Sequence, residues 1–340
     1  MSGHHYVRTL IDTHFSEDLN NITGLTEIAI NRPNEKWLKI HGKWERREIE
    51  FSCDNAMSIM NSLSDYHDGT SVQKDNSILS ATLPTGERVQ ALAPPITQKD
   101  TVAIAIRKPT DFFIPHTQFV EQGFYSRIEK KEAQPKNNSL VKLYESGNIA
   151  EFIPECIRQG KTMVFSGGTG SGKTTFSNAA LEYIPHHLRC ISIEDTDETK
   201  FRFHKNHVKL FYPAENKDSP VTAGSLIRSC YRLNPDRILM TEIRGGEAWD
   251  FMKATSSGHA GGMTTVHEDS PENAILGIVE RCYQNPECGN LPFESLLRKV
   301  VNNIDVVMSI KYLDELDSRF VTGVYFKDVD REKMIRKLLG

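Results

Sequence analysis

The chain has 340 residues, which at roughly 150 per domain predicts two domains. Hydrophobic residues make up 38% and charged ones 25%, while Gly (22) and Pro (15) fall well short of the roughly 25–30% that marks low-complexity chains, so a packed core is expected and disorder is excluded. Net charge is −4; residues 1–130 carry 14 basic and 17 acidic side chains and the remainder 27 and 28, so neither half has the cationic excess of a dedicated nucleic-acid groove.

The first half reads as short strands after an N-terminal helical stretch. Expected strands are 27–31, 36–41, 44–51, 78–83, 87–92 and 101–107, rich in β-branched or aromatic residues and bounded by turn signals such as Arg32-Pro33-Asn34, His41-Gly42 and Pro84-Thr85-Gly86. Residues 54–66 have helical spacing and interrupt them. This half is predicted to be a mixed α+β domain with an antiparallel sheet, residues 1–126. The charged, polar stretch RIEKKEAQPKNNS that follows reads as a linker, placed at 127–140.

From 141 to 340 strands and helices alternate. Strands are expected at 161–165, 188–193, 207–211, 237–241, 262–266 and 304–310. Helices are expected at 149–159, from Lys173 to about Tyr183, 223–231 and 247–256, and the tail reads as a strand end and a short helix. Such alternation predicts an α/β fold with a largely parallel sheet and ligands at the carboxyl ends of its strands. No run of about 18 apolar residues is present to span a bilayer. The N-terminus lacks the apolar run and cleavage site of a signal peptide, so secretion is not expected. Cysteines at 53, 156, 190, 230, 282 and 288 include no C-x-x-C pair, which fits reduced thiols better than disulfides or a zinc site.

Gly167-Gly168-Thr169-Gly170-Ser171-Gly172-Lys173-Thr174 matches the phosphate-loop pattern G-x-x-x-x-G-K-[ST] throughout, with Thr175 next in the helix. Glycines let backbone N–H groups wrap a phosphate, and the helix N-terminus adds its dipole. Lys173 is expected on the β- and γ-phosphates and the Thr174 hydroxyl on Mg²⁺. The strand ending in Glu194-Asp195-Thr196-Asp197-Glu198 brings carboxylates to the nucleotide end, where they could hold Mg²⁺ or orient water, although an exposed acidic turn would look similar. The strand 237–241 delivers Glu242, a carboxylate that can polarise water. His267 follows another short strand, where it is either an ordinary histidine or a γ-phosphate sensor. Arg88 and Arg107, taken alone, read as solvated strand arginines. His204 and His207 lack an evident third ligand and read as a surface loop, and Trp37 and Trp44 as core or interface.

Asn31-Arg32-Pro33, the GER…PP and IRKP stretches, the phosphate loop, IEDTDE, HVKLFYPAEN, RILMTEIRGGEAWDF and GHAGGMTTVH together resemble the type II/IV secretion ATPase superfamily. Within it they are most similar to the VirB-eleven type traffic ATPases of type IV secretion systems, over residues 25 to 312. The resemblance implies a RecA-like P-loop ATPase domain behind the N-terminal domain, ATP and Mg²⁺, a homohexamer, and a cytoplasmic position peripheral to the inner membrane beside other type IV secretion components. By motif match it implies phosphate and Mg²⁺ contacts from Lys173 and Thr174, an acidic box at Glu194 and Asp195, hydrolysis through Glu242, and a His-box role for His267. It also implies phosphate contacts from Arg88 and Arg107, so that the N-terminal domain swings on the linker after hydrolysis. Thr241 stands where many phosphate-loop enzymes have a Mg²⁺-binding aspartate, which leaves Glu194 or Glu242, acting through water, as the metal's carboxylate. A type II secretion or type IV pilus ATPase, which often carries C-x-x-C pairs, and a DNA-translocating motor are the alternatives. Salt-dependent DNA binding would mark the latter.

Overall fold

The computed structural model describes residues 3–67, 77–83, 85–109, 114–126, 138–216 and 218–340. The first half begins with helix α1 (Gly3–Asn21), followed by β1 (Leu25–Ile30), β2 (Glu35–Ile40), β3 (Lys43–Glu48) and α2 (Cys53–His67), then β4 (Ile78–Thr82), β5 (Arg88–Leu92) and β6 (Ala103–Arg107). Among the described residues these strands form one sheet in the order β3-β2-β1-β6-β5-β4, every neighbouring pair antiparallel, as expected. Register sets Arg88 directly opposite Arg107.

Alternation along β5 and β6 explains how this sheet is used on both faces. Val89, Ala91, Ile104 and Ile106 join Phe15, Ile28, Leu38 and Phe51 in the core beneath α1 and α2. The intervening Leu92, Ala103 and Ala105 point the other way, into the core of the second half, because successive strand side chains face opposite sides. The alanines leave room for a helix there.

That second half runs α3 (His116–Glu121), α4 (Asn138–Glu145), α5 (Ile149–Arg158), β7 (Met163–Ser166), α6 (Lys173–Ala180), β8 (Cys190–Glu194), β9 (His207–Phe211), α7 (Ala223–Leu233), β10 (Arg237–Met240), α8 (Glu247–Ser256), β11 (Met263–Val266), α9 (Pro271–Tyr283), α10 (Phe293–Asn303), β12 (Val306–Leu313), β13 (Ser318–Phe326) and α11 (Lys327–Leu339). Its sheet has the order β13-β12-β7-β11-β10-β8-β9, parallel except where β13 returns antiparallel along β12. That edge hairpin went unanticipated, since Ser318–Phe326 reads as mostly exposed and only its last residues enter the core. Of the linker expected at 127–140, residues 127–137 lie outside the described residues, and α4 starts at Asn138.

Helix α7 packs on β5 and β6. Thr222 caps it through a reciprocal box with Ser225, and Asn234, at φ 50°, ends it in the left-handed conformation. Asn234 Nδ2 then donates to Glu27 Oε2 at 2.6 Å across the two halves. Around it lies a polar network with Arg189 at its centre, fully buried. Arg189 donates to Asn31 Oδ1 (2.7 Å), Asn206 Oδ1 (2.8 Å) and the Leu233 carbonyl (3.1 Å), and its guanidinium lies 5.3 Å from the Trp44 ring centre. Desolvation pulls its pKa down to about 10, against the pull of Glu27 and Asp236.

The His204–His207 loop is not the surface loop its sequence suggests. His204 is 1% exposed and its Nε2 donates to the Ile184 carbonyl at 3.1 Å, while His207 stacks on Phe201 and meets Arg32 from the first half. His207 therefore lies at the interface with the first half, while His204 is buried within the second. Trp37 is in a core position, and Trp44 faces Arg189.

Candidate active site

Strand β7 runs between β11 and β12 and empties into the glycine loop, whose shape depends on two close approaches. A Cβ on Gly167 would lie 2.4 Å from the Ile310 carbonyl oxygen of β12. Gly172 has φ 93°, a conformation that L side chains rarely adopt, and a Cβ there would sit 2.7 Å from Arg319 Cδ. Helix α6 starts at the next residue, so the loop's N–H groups and the helix dipole converge on one cavity of about 420 Å³.

All the residues from Gly168 through Thr175 line that cavity, as do Asp195, Glu198, Glu242, Arg244, His267 and Arg319. Lys173 is 7% exposed, and its ammonium donates to the carbonyls of Gly167 (2.6 Å) and Gly168 (3.0 Å). Desolvation lowers its pKa and the Glu242 carboxylate opposes that shift. An ammonium held this way is desolvated, close to the loop and ready for an anionic partner.

One side of the cavity is a chain of charges. Glu242 Oε2 accepts from Arg244 at 3.0 Å, and its Oε1 lies 3.4 Å from His267 Nε2. The other end of Arg244 reaches Asp195 Oδ2 at 2.8 Å. Backbone stitching holds the strand ends that carry these groups: Thr241 N donates to the Ile193 carbonyl and Thr265 Oγ1 to the Thr241 carbonyl. Arg244 was missed by sequence reasoning, although its place two residues after Glu242, inside EIRGG, was the available signal.

The acidic box divides. Glu194 is fully buried and accepts from the N–H groups of Glu198 (2.8 Å) and Thr199 (2.9 Å), so it shapes the turn and does not line the cavity. Asp195 and Glu198 do line it, and Thr174 Oγ1 donates to Glu198 Oε2 at 3.3 Å. No group of three or more His, Cys, Asp or Glu side chains among the described residues is arranged to hold a metal by itself. A hydroxyl beside one carboxylate nevertheless suits Mg²⁺, which takes one or two protein ligands and fills its octahedron with phosphate oxygens and water.

Arg88 and Arg107 lie elsewhere. They line a separate cavity of about 180 Å³ with Gln90, Tyr231 and Arg232, and none of the phosphate-loop residues borders it. Within one chain the structure therefore brings together Lys173, Thr174, Glu242 and His267, and leaves the two arginines apart from them.

A model of the type II/IV secretion system protein family matches residues 17–336. The chain belongs to that family. It is 35% identical over 292 residues to the type IV secretion system protein VirB11 of Brucella suis, covering 84% of this chain and 81% of that one. It is 32% identical over 308 residues to the type IV secretion system protein PtlH of Bordetella pertussis, with 89% and 91% covered. The crystal structure of the VirB11 ATPase from the Brucella suis type IV secretion system, in complex with sulphate, superposes with a TM-score of 0.90 at 31% identity, over 100% of this chain and 99% of that chain. A phosphate loop complete in sequence and shape, within a family of secretion ATPases, makes this chain an ATPase. Among the described residues no helix is long and apolar enough to cross a membrane.

Proposed function

We propose that the chain is the hexameric, ATP-hydrolysing motor of a type IV secretion system, acting on the cytoplasmic side of the inner membrane with other components of that system to drive substrate translocation or pilus assembly. Its relatives VirB11 and PtlH carry type IV secretion in their names, which favours this branch over type II secretion and pilus motors.

In this reading the γ-phosphate lies between Lys173 and Glu242. Glu242 orients the attacking water and takes its proton, with Arg244 fixing the carboxylate and His267 beside its other oxygen. Lys173 leaves its loop carbonyls for the β- and γ-oxygens. Thr174, with Glu198 or Glu242 acting through water, would hold Mg²⁺, which would supply charge neutralisation to the phosphates.

The observation that carries the ring is the separation of Arg88 and Arg107 from the loop of their own chain. Two guanidiniums opposite one another on β5 and β6 suit phosphate oxygens, and a second copy brings its loop to them. Each active site is then shared by two copies, and hydrolysis in one loosens its grip on the next. A particle-mass measurement with and without nucleotide tests the ring: six copies are expected, and a monomer under both conditions would sink the proposal.

A further inference from the structure

The nucleotide cavity has a second wall that the hydrolytic groups do not use. Glu242 and His267 follow β10 and β11, and Asp195 follows β8, all on one side of β7 in the sheet. Arg319 comes from β13, on the other side of β7, yet it lines the same cavity. The phosphate loop lies between. A nucleoside triphosphate whose terminal phosphate reaches Glu242 and His267, and whose other phosphates follow the loop, must therefore leave its ribose and base on the β12–β13 side.

Arg319 is fixed there by three contacts. Its stem crosses Gly172, where a Cβ would meet Cδ at 2.7 Å. Its Nε donates to the Gly170 carbonyl at 3.3 Å. Its guanidinium lies 5.3 Å from the ring centre of Tyr312, its register partner across the hairpin, and the Tyr312 hydroxyl in turn donates to Asp317. The ring holds the planar guanidinium in place while leaving it exposed at the cavity rim.

We propose that Arg319, backed by Tyr312, binds the nucleoside end of ATP, its guanidinium plane stacking on the purine base. This rests on the ATPase reading of the phosphate loop and adds the contact that recognises the base. The Gly170–Gly172 segment would then sense base occupancy through Arg319, since the same side chain touches both.

Titration calorimetry with Mg²⁺ separates the ends of the ligand, using a non-hydrolysable ATP analogue and inorganic tripolyphosphate as probes. Arg319→Ala is expected to weaken the ATP analogue by about tenfold and to leave tripolyphosphate within about twofold of wild type. Arg319→Lys keeps the charge without the plane and should recover little of the loss. Equal weakening of both probes would make Arg319 a phosphate or loop-shaping residue and overturn the proposal, as would unchanged binding of both. Failure of the unaltered chain to bind either probe would overturn the phosphate-loop reading and this proposal with it.

Discussion

Strands β8 and β10 carry polar networks at both of their ends. At the amino ends stand Arg189 and Asp236, facing Glu27, Asn31 and Asn234 in the interface between the halves; at the carboxyl ends stand Asp195 and Glu242, facing Arg244 and the nucleotide cavity. Each network is organised by one arginine, but in opposite states. Arg189 is fully buried, its hydrogen bonds go mostly to neutral oxygens, and burial depresses its pKa. The Arg244 side chain is 47% exposed and ties two carboxylates that remain open to the cavity. The first arrangement spends the guanidinium's donors on fixing two sheets together. The second keeps carboxylate oxygens available for chemistry, and it tolerates solvent because its pairs need not supply stability.

Changes at the carboxyl ends should therefore cost activity with little loss of stability, and changes at the amino ends the reverse. Lys173→Ala should show the largest effect, loss of phosphate release by at least about a hundredfold, because the loop has no other mobile cation for the β- and γ-phosphates. Turnover within a few-fold of wild type would remove Lys173 from the mechanism. Glu242→Gln should follow, with nucleotide still bound and single-turnover hydrolysis slowed about a hundredfold, the scale of a lost general base. If affinity collapsed while the rate per bound nucleotide held, Glu242 would be a structural residue.

At the amino ends, Arg189→Met leaves Asn31 Oδ1 without its donor, takes one of two donors from Asn206 Oδ1 and removes the positive charge that opposes Glu27. Removing one member of such a network costs about 3–5 kcal/mol, or roughly 6 °C or more in melting temperature. Binding of the ATP analogue should stay within about twofold, since the cavity is at the far strand ends. An unchanged melting temperature would show that the network contributes nothing to the interface. The smallest effect is expected from His207, whose pKa burial and then Arg32 lower from 6.5 to about 4. A depressed histidine pKa gives stability that is complete above pH 6.5 and is lost as pH falls toward 4. His207→Phe should thus lose less melting temperature than wild type between pH 7 and 4.5, and parallel losses would rule out His207 as a contributor.

The same contrast explains what the sequence made legible. The phosphate loop is contiguous, and Gly167 and Gly172 in it are demanded by the close approaches of Ile310 and Arg319. Sheet content in both halves was readable because alternation and turn signals are local. The interface was not: Glu27, Asn31, Arg189, Asn206 and Asn234 are spread over more than two hundred positions, and no local pattern joins them. Arg319 and the β13 edge were hidden for the same reason. Within the acidic box, a local pattern brought the right stretch to the site and could not say that Glu194 turns inward while Asp195 and Glu198 face the cavity, since that depends on the turn beyond β8.

In the proposed ring each active site joins the loop of one copy to Arg88 and Arg107 of another. Mixing two inactive variants tests it directly. Lys173→Ala lacks a working loop but keeps the arginines, and a double Arg88→Ala, Arg107→Ala variant keeps the loop but lacks the arginines. In a mixed ring with shared sites, some loops of the second variant face arginines of the first, so phosphate release should reappear at a sizeable fraction of the wild-type rate. If the mixture stays as inactive as its components while mass measurement confirms mixed rings, the arginines serve their own chain's nucleotide or none, and the shared site is contradicted.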